Sequence, residues 1–352
     1  MTGAILSVAY PFAAVGPDAA GGAEQVLSAV ESAIVRSGRR SIVIAQEGSR
    51  VAGECVALPR VDAVLTEAAR DAVRRQCRTA IEAVAAREAV DLIHFHGIDF
   101  PSYRPDLDVP MLATLHLPAD WYDPSIFRPG PRPLWLNPVS ATQAAACPSS
   151  ANLLAPIENG VPVDRLQAIR VRKRDFALVL ARICPEKGVH LAIEAARATD
   201  IDLVIAGEVF AYPEHQRYFA DEIAPRLDSR RRFVGPVGFA RKRRLLHAAQ
   251  CLLVPALVDE TSSLVAREAI ACGTAVVAFR RGALPEAVRD GETGFLVDDV
   301  AGMAAAIARA RDIDPEWARA VARERFSLDG MTGRYLGLYR ELTAAHRRRG
   351  AA

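Results

Sequence analysis

Asp259-Glu260-Thr261-Ser262-Ser263-Leu264-Val265-Ala266-Arg267-Glu268 is the stretch whose reading decides the fold. An apolar run, Cys251–Val254, stands before it, and a second, Ala275–Phe279, follows a glycine at position 273. The spacing between the runs predicts a strand, a loop, a helix over Leu264–Cys272 closed by Gly273, and a second strand parallel to the first. A strand–helix–strand unit of this kind buries both faces of its sheet, so its strands read as continuous apolar runs. The helix is expected to start near Ser262. Its first-turn N–H groups lack intrahelical partners and carry about half a positive charge, which suits phosphate oxygens. Glu260, in the loop ahead of that seat, is placed to hydrogen-bond sugar hydroxyls. Glu268, two turns in, is placed to bind a ribose diol. Taken alone, both acids also fit ordinary helix-start and surface positions.

Working outward, the same rhythm fills the second half of the chain. Phe176–Leu180, Asp202–Ala206, Arg231–Val234 and Gly294–Val297 read as strands. His190–Thr199, Lys242–Ala249 and Ala283–Val288 read as helices between them. The first half repeats it, with strands at Ile5–Ala9, Ser41–Ala45, Asp91–Phe95, Met111–Leu115 and Leu134–Val139. Helices are expected over Glu24–Ser37 and Asp62–Ala89, and a closing one over Met331–Arg348. This alternation implies an α/β protein with two Rossmann-like, doubly wound domains facing each other across a cleft. The expected divisions are 1–165, 166–330 and a C-terminal helix with basic tail, 331–352, packing back towards the first domain. Ligands of open α/β sheets bind beyond the carboxyl ends of the strands, so the chemistry is sought in the loops there.

One such loop, Ala181-Arg182-Ile183-Cys184-Pro185-Glu186-Lys187-Gly188, follows the strand Phe176–Leu180. It holds two cations, and a guanidinium fork plus an ammonium point charge suit a diphosphate. Lys187 gains weight from rarity, since Lys173, Lys187 and Lys242 are the only lysines among 44 basic residues. In the first half, Gly21-Gly22 precedes a helix, where glycine admits a close approach of backbone to ligand. His116 ends a strand and is expected to face the cleft. His94 and His96 alternate along one strand and point the same way, but no third metal ligand is apparent. His96 is read as lining the acceptor side, and Trp121, Tyr122 and Phe127 as residues that either form an acceptor platform or pack.

These residues carry a resemblance. Glu260 and Glu268 form an EX7E pattern, and the segment from Glu260 to Phe279 resembles retaining glycosyltransferases of family 4. The flanks agree: Glu158-Asn159-Gly160-Val161 with Asp164, Arg182 through Lys187-Gly188, Ala206-Gly207-Glu208, Gly282-Ala283-Leu284-Pro285-Glu286, and Asp290 through Val297. The likeness is strong over about 155–345 and weaker before. It implies the GT-B fold and transfer of a sugar from a UDP- or GDP-sugar donor, with retained configuration and without a metal or other cofactor. The acceptor is expected to be a hydroxyl of a glycan, a lipid-linked or a small molecule, as in polysaccharide biosynthesis. Carried over, Arg182 and Lys187 hold the donor diphosphate, Glu260 contacts the transferred sugar and Glu268 the ribose. Thr261, Ser262 and the backbone from Ser263 through Leu264 to Val265 belong to the donor site. Val237 lies beside the nucleobase. Gly21 and Gly22 match the family's glycine loop, and His116 its active-site histidine near the transferred sugar. One departure is Ser262-Ser263, where many members have Phe-Gly.

Other classes fit less well. Hydrophobic residues are 51% and charged residues 24%, the mix of a globular protein. The apolar runs fall short of the roughly 18–20 residues of a membrane span, and no basic leader precedes the first one. The six cysteines form no CxxC pair, so reduced thiols and a cytoplasmic setting are expected. Basic clusters at Arg170–Arg174, Arg230–Arg232, Arg241–Arg244 and Arg347–Arg349 suit peripheral contact with anionic lipid on the inner membrane face. Nucleic acid is not an expected partner, since aromatics are 6% and no reader motif occurs. Asp106/Asp108, Asp200/Asp202 and Asp312/Asp314 are DxD triplets outside the setting a metal-bound sugar nucleotide requires. A GT-B-fold sugar-nucleotide isomerase or epimerase and a non-catalytic sugar-nucleotide-binding protein remain rivals.

Overall fold

The computed structural model describes residues 3–19, 21–60, 66–130 and 132–350. It divides into two compact units, Met1–Glu158 with Asp329–Ala352, and Asn159–Leu328.

In the first unit the order is β1 (Ala4–Val8), α1 (Gly22–Arg36), β2 (Ser41–Gln46), β3 (Glu54–Leu58), α2 (Glu67–Arg87), β4 (Val90–Phe95), β5 (Met111–Leu115), β6 (Leu134–Pro138) and α3 (Ala141–Ala146). All strands run parallel, in the order β3-β2-β1-β4-β5-β6. β1 and β5 are buried along their whole length, as apolar strands covered on both faces must be. The sequence reading passed over β3. It is an edge strand in which exposed and half-buried residues alternate, so it lacks the continuous apolar run that marked the others. α2 starts later than the expected Asp62. Thr66 caps it, its hydroxyl accepting from the Ala69 N–H at 3.3 Å, and residues 62–65 of that expectation lie outside the described residues.

The second unit contains α4 (Val163–Gln167), β7 (Phe176–Leu180), α5 (Val189–Ala198), β8 (Asp202–Ala206), α6 (Pro213–Tyr218), β9 (Arg231–Phe233), α7 (Phe239–Ala248), β10 (Cys251–Val254), α8 (Leu264–Ala271), β11 (Ala275–Phe279), α9 (Leu284–Ala287), β12 (Gly294–Val297), α10 (Val300–Arg309) and α11 (Pro315–Arg325). Its parallel sheet runs β12-β11-β10-β7-β8-β9. Counted within each unit, both sheets have the doubly wound order 3-2-1-4-5-6. The order reverses between β1 and β4 in one sheet and between β7 and β10 in the other. Loops that leave adjacent strands at such a reversal diverge and open a crevice. The loop after β7 carries Arg182 and Lys187, and the loop after β10 carries Glu260.

The last helix, α12 (Leu328–Gly350), is counted with the first unit almost entirely. Its Tyr335 and Tyr339 are fully buried there. All six cysteines are free. Among the described residues no helix is long and apolar enough to cross a membrane.

Candidate functional site

At the carboxyl end of the second sheet, three loops meet around Glu260. The β7 loop approaches the β10 loop closely: the Leu257 N–H donates to the Glu186 carbonyl at 2.8 Å. Gly188 makes this possible. It sits at φ +59°, and a side chain there would strike the Pro255 carbonyl. From the other side, the loop after β11 closes on Glu260, whose carbonyl accepts from the Ala283 N–H at 2.6 Å. Gly282, at φ +53°, leaves no room for a Cβ against the Glu260 backbone.

Within this frame Lys187 donates from its Nζ to a Glu260 carboxylate oxygen. Glu268, 4% exposed, is paired with Lys242 of α7, Nζ to Oε1 at 2.6 Å. Neither acid is thus a solvated surface group. Each is shielded and held by a lysine. The Arg182 guanidinium is half-buried and makes no hydrogen bond or ion pair among the described residues. A preorganised cation with an open fork therefore lies one loop away from two neutralised acids. Val237, half-buried, lies in the loop after β9, where the Gly235 carbonyl accepts from the Gly207 N–H at 3.0 Å.

The helix α8 begins at Leu264, the first residue of the expected Leu264–Cys272 span and two residues after Ser262, and Ser263 precedes it in the left-handed region, φ 52° and ψ 74°. Only Ser263 and Asp200 among the described non-glycine residues have positive φ. The departure from Phe-Gly thus places serine where the backbone favours glycine. The hydroxyls of Ser262 and Ser263 are buried with no hydrogen-bond partner. Such orphans are uncommon. Arg267 holds the turn from behind. Fully buried, it donates to the Ser262 carbonyl at 3.3 Å and the Asn159 carbonyl at 2.7 Å, and it stacks on Phe326.

In the first unit, His116 follows β5. Its N–H donates to the Tyr122 hydroxyl at 2.8 Å, and its Nε2 lies 3.0 Å from His96 Nδ1. Burial drops the His116 pKa to about 3, so the imidazole is neutral at physiological pH. His96 is 3% exposed, so it is buried behind His116 rather than lining an open surface. Beside it, His94 bonds to Tyr339 at 2.7 Å and Thr114 at 2.8 Å, and the Tyr335 hydroxyl donates to Asn137 at 2.9 Å. Burial holds both histidines well below their ordinary value, with the neighbouring imidazoles adding to it. Of the two alternatives for the aromatic residues, packing holds for Tyr122 and Phe127, which are core residues, while Trp121 is exposed. Gly21 caps α1, and the Glu24 side chain folds back into the space a Cβ would take.

Several sequence features prove structural. Asp106 and Asp108 hold Arg132, Asp200 and Asp202 hold Arg230, and Asp314 caps α11. Lys173 turns inward to the Ala249 carbonyl at 2.9 Å, and burial lowers its pKa to about 8, which removes it from the surface basic clusters. The sequence reading missed Lys242 as the partner of Glu268, although the scarcity of lysine pointed at it. It also missed Arg267, whose signal was a charge inside an apolar helix.

Residues 174–312 match the family model described as glycosyl transferases group 1. The matched segment lies within the second unit. The D-inositol 3-phosphate glycosyltransferase of Mycobacterium ulcerans is 34% identical over 211 residues, 53% of this chain and 45% of that protein. A namesake from Acidothermus cellulolyticus is 36% identical over 189 residues, 48% of this chain and 42% of its own. The chain thus spans about half the length of the curated relatives it matches. Among solved structures, sucrose-phosphate synthase from Thermosynechococcus elongatus superposes with a TM-score of 0.78 at 21% identity, covering 97% of this chain and 99% of that one. Anabaena HepE in complex with UDP-glucose superposes with 0.74 at 16% identity, covering 97% and 100%. Both likenesses show the fold, which is GT-B. The matched segment includes Arg182, Lys187, Glu260 and Glu268.

Proposed function

We propose that the protein is a glycosyltransferase that moves a sugar from a nucleoside diphosphate sugar, UDP- or GDP-linked, to a hydroxyl acceptor. One observation carries the reading: an open guanidinium, Arg182, shares its loop with Lys187, whose partner Glu260 stands just ahead of the α8 N-terminus. The group 1 match over the same residues supports it, as does UDP-glucose bound by a protein of the same fold.

The hard step is cleavage of the anomeric C–O bond, during which negative charge grows on the leaving diphosphate. Fixed positive groups aimed at that charge are usually the largest catalytic term. Arg182, Lys187 and the N–H groups at Leu264 and Val265 supply it. Glu260, held by Lys187, accepts hydrogen bonds from the transferred sugar, and Glu268 from the ribose diol. Because Lys187 neutralises Glu260, this carboxylate is a poor nucleophile. The reading therefore assigns retention to attack on the face the phosphate leaves, with the departing oxygen taking the acceptor proton. His116 contributes a neutral imidazole that donates to or accepts from a sugar hydroxyl without changing charge near pH 7.

The test is incubation with a panel of UDP-, GDP- and ADP-sugars, measuring nucleoside diphosphate release and, by NMR, the anomer formed. Arg182→Ala and Lys187→Ala are each expected to cost about 2–4 kcal/mol of barrier, about 30- to 1000-fold in turnover. Near-wild-type turnover of both variants at saturating donor refutes the assignment. Recovery of an altered sugar nucleotide points to an isomerase instead.

A further inference from the structure

Beside the diphosphate loop lies a second constellation that the transferase reading leaves unused. Cys184 and Glu186 flank Pro185 in the β7 loop. His215 stands on α6, beyond the neighbouring strand β8. One donor atom from each lies within 4.8 Å of the other two. The backbones are tied together here, the Ile183 N–H donating to the Glu208 carbonyl at 2.9 Å. Cys184 is 1% exposed and His215 6%. The His215 Nδ1 is buried and has no hydrogen-bond partner. Its ring is fixed by edge contact with Tyr212, centroids 5.2 Å apart.

We propose that Cys184, Glu186 and His215 form a binding site for one Zn2+ ion. A thiolate, an imidazole and a carboxylate are the ligand types Zn2+ takes, and three protein ligands leave a fourth position for water. With the thiolate and the carboxylate both charged, a divalent ion leaves the cluster neutral. That matters because an unbalanced charge is costly to bury. Bond lengths of about 2.0–2.3 Å put tetrahedral ligand atoms roughly 3.3–3.8 Å apart. The ligand atoms already lie within 4.8 Å of one another, so closing to that spacing asks at most about 1.5 Å of movement. Two influences oppose the ion: burial disfavours the Cys184 thiolate, and the nearby Arg182 charge disfavours a cation. The ion pins the loop that bears Arg182 and Lys187 to α6, and so positions them without touching the reacting atoms.

The experiment uses the untagged full chain, stripped by chelator and dialysed against micromolar Zn2+, with bound metal measured by mass spectrometry. About one Zn2+ per chain is expected in the wild type and in the Cys55→Ser control, which removes the exposed thiol. Co2+ substitution is expected to give a thiolate charge-transfer band that Cys184→Ser abolishes. Cys184→Ser and His215→Ala should each weaken Zn2+ binding by at least ~100-fold. Glu186→Gln, the mildest change, should weaken it less while the circular dichroism stays unchanged. Absence of stoichiometric Zn2+ in the wild type overturns the site. So does wild-type retention in folded Cys184→Ser or His215→Ala. Each readout is metal content or a spectrum, so failure here is distinct from failure of the transferase reading.

Discussion

Replacing Ser263 by glycine is expected to make the second unit more stable. Ser263 sits at φ 52°, a region that costs a residue with a Cβ about 1–2 kcal/mol. Glycine removes that cost but loses more freedom on folding, worth about 0.5–1 kcal/mol in the other direction. The backbone balance favours glycine by about 0.5–1 kcal/mol. The hydroxyl adds to it. Its oxygen is buried without a partner, and such a group costs about 1–3 kcal/mol of desolvation, part of which is recovered when it is deleted. A net gain of about 1 kcal/mol follows, or a rise of about 2–4 °C in the melting temperature of a unit this size. Scanning calorimetry resolves such a shift and separates the two units if they melt apart. Ser263→Ala is the dissecting control. It removes the hydroxyl but keeps the Cβ, so it should gain only the smaller share. On the proposed function, the orphan hydroxyl also bonds a donor oxygen. With the active donor, Ser263→Ala is expected to raise KM about 2- to 10-fold, the worth of one neutral hydrogen bond. A lower melting temperature in Ser263→Gly would refute the strain argument, and an unchanged KM in Ser263→Ala would refute the hydroxyl's part.

Lys242→Met strands Glu268, 4% exposed, without its cation, and breaking such a pair typically costs about 3–5 kcal/mol. Urea denaturation should show a large loss. The double change Lys242→Met with Glu268→Leu should recover most of it, and a double variant as unstable as the single one speaks against the pair. Acid should destabilise the first unit through its histidines. The unfolded chain takes up protons below the ordinary histidine value of 6.5, whereas folded His116 waits until about 3, so stability is full above 6.5 and falls as pH drops through that window. His116→Gln should flatten the fall between pH 6.5 and 4.5 by up to about 1.4 kcal/mol per pH unit. Parallel wild-type and variant curves of melting temperature against pH would contradict it.

The strands of both sheets were legible where burial on two faces forces an unbroken apolar run, as in β5, β10 and β11, whose bounds match the reading residue for residue. β3 was not, because an edge strand needs only one apolar face. α6 was missed for a different reason. Pro213 and Pro225 bracket a stretch whose helical hydrogen bonds change pitch through a π turn and a 3-10 turn, so no 3.6-residue period survives. At the site, residue types and loop positions were readable but pairings were not. Glu260 and Lys187 are 73 positions apart, and Glu268 and Lys242 are 26 apart. A sequence pattern places each at a strand or helix end, but only the sheet order brings β7 beside β10.

The two units use one topology with opposite electrostatics. Behind its strand ends the second unit balances full charges, Lys187 with Glu260 and Lys242 with Glu268, and leaves the Arg182 fork open. The first unit instead builds a neutral relay: His116 on His96, then His94, Thr114, Tyr335 and Tyr339, all kept uncharged by burial near pH 7. A dianionic leaving group needs the first kind of environment, because fixed charge stabilises charge that develops. Orienting sugar hydroxyls needs the second, because neutral donors and acceptors discriminate geometry without attracting counter-ions. This contrast also explains why the second unit announces itself in sequence and the first does not. Charged pairs sit in short loop patterns, whereas the relay needs Tyr339, 245 positions from His94, brought in by the closing helix. Removing that helix's hydroxyl with Tyr339→Phe should therefore unsettle His94 while leaving the charged loops of the second unit unchanged.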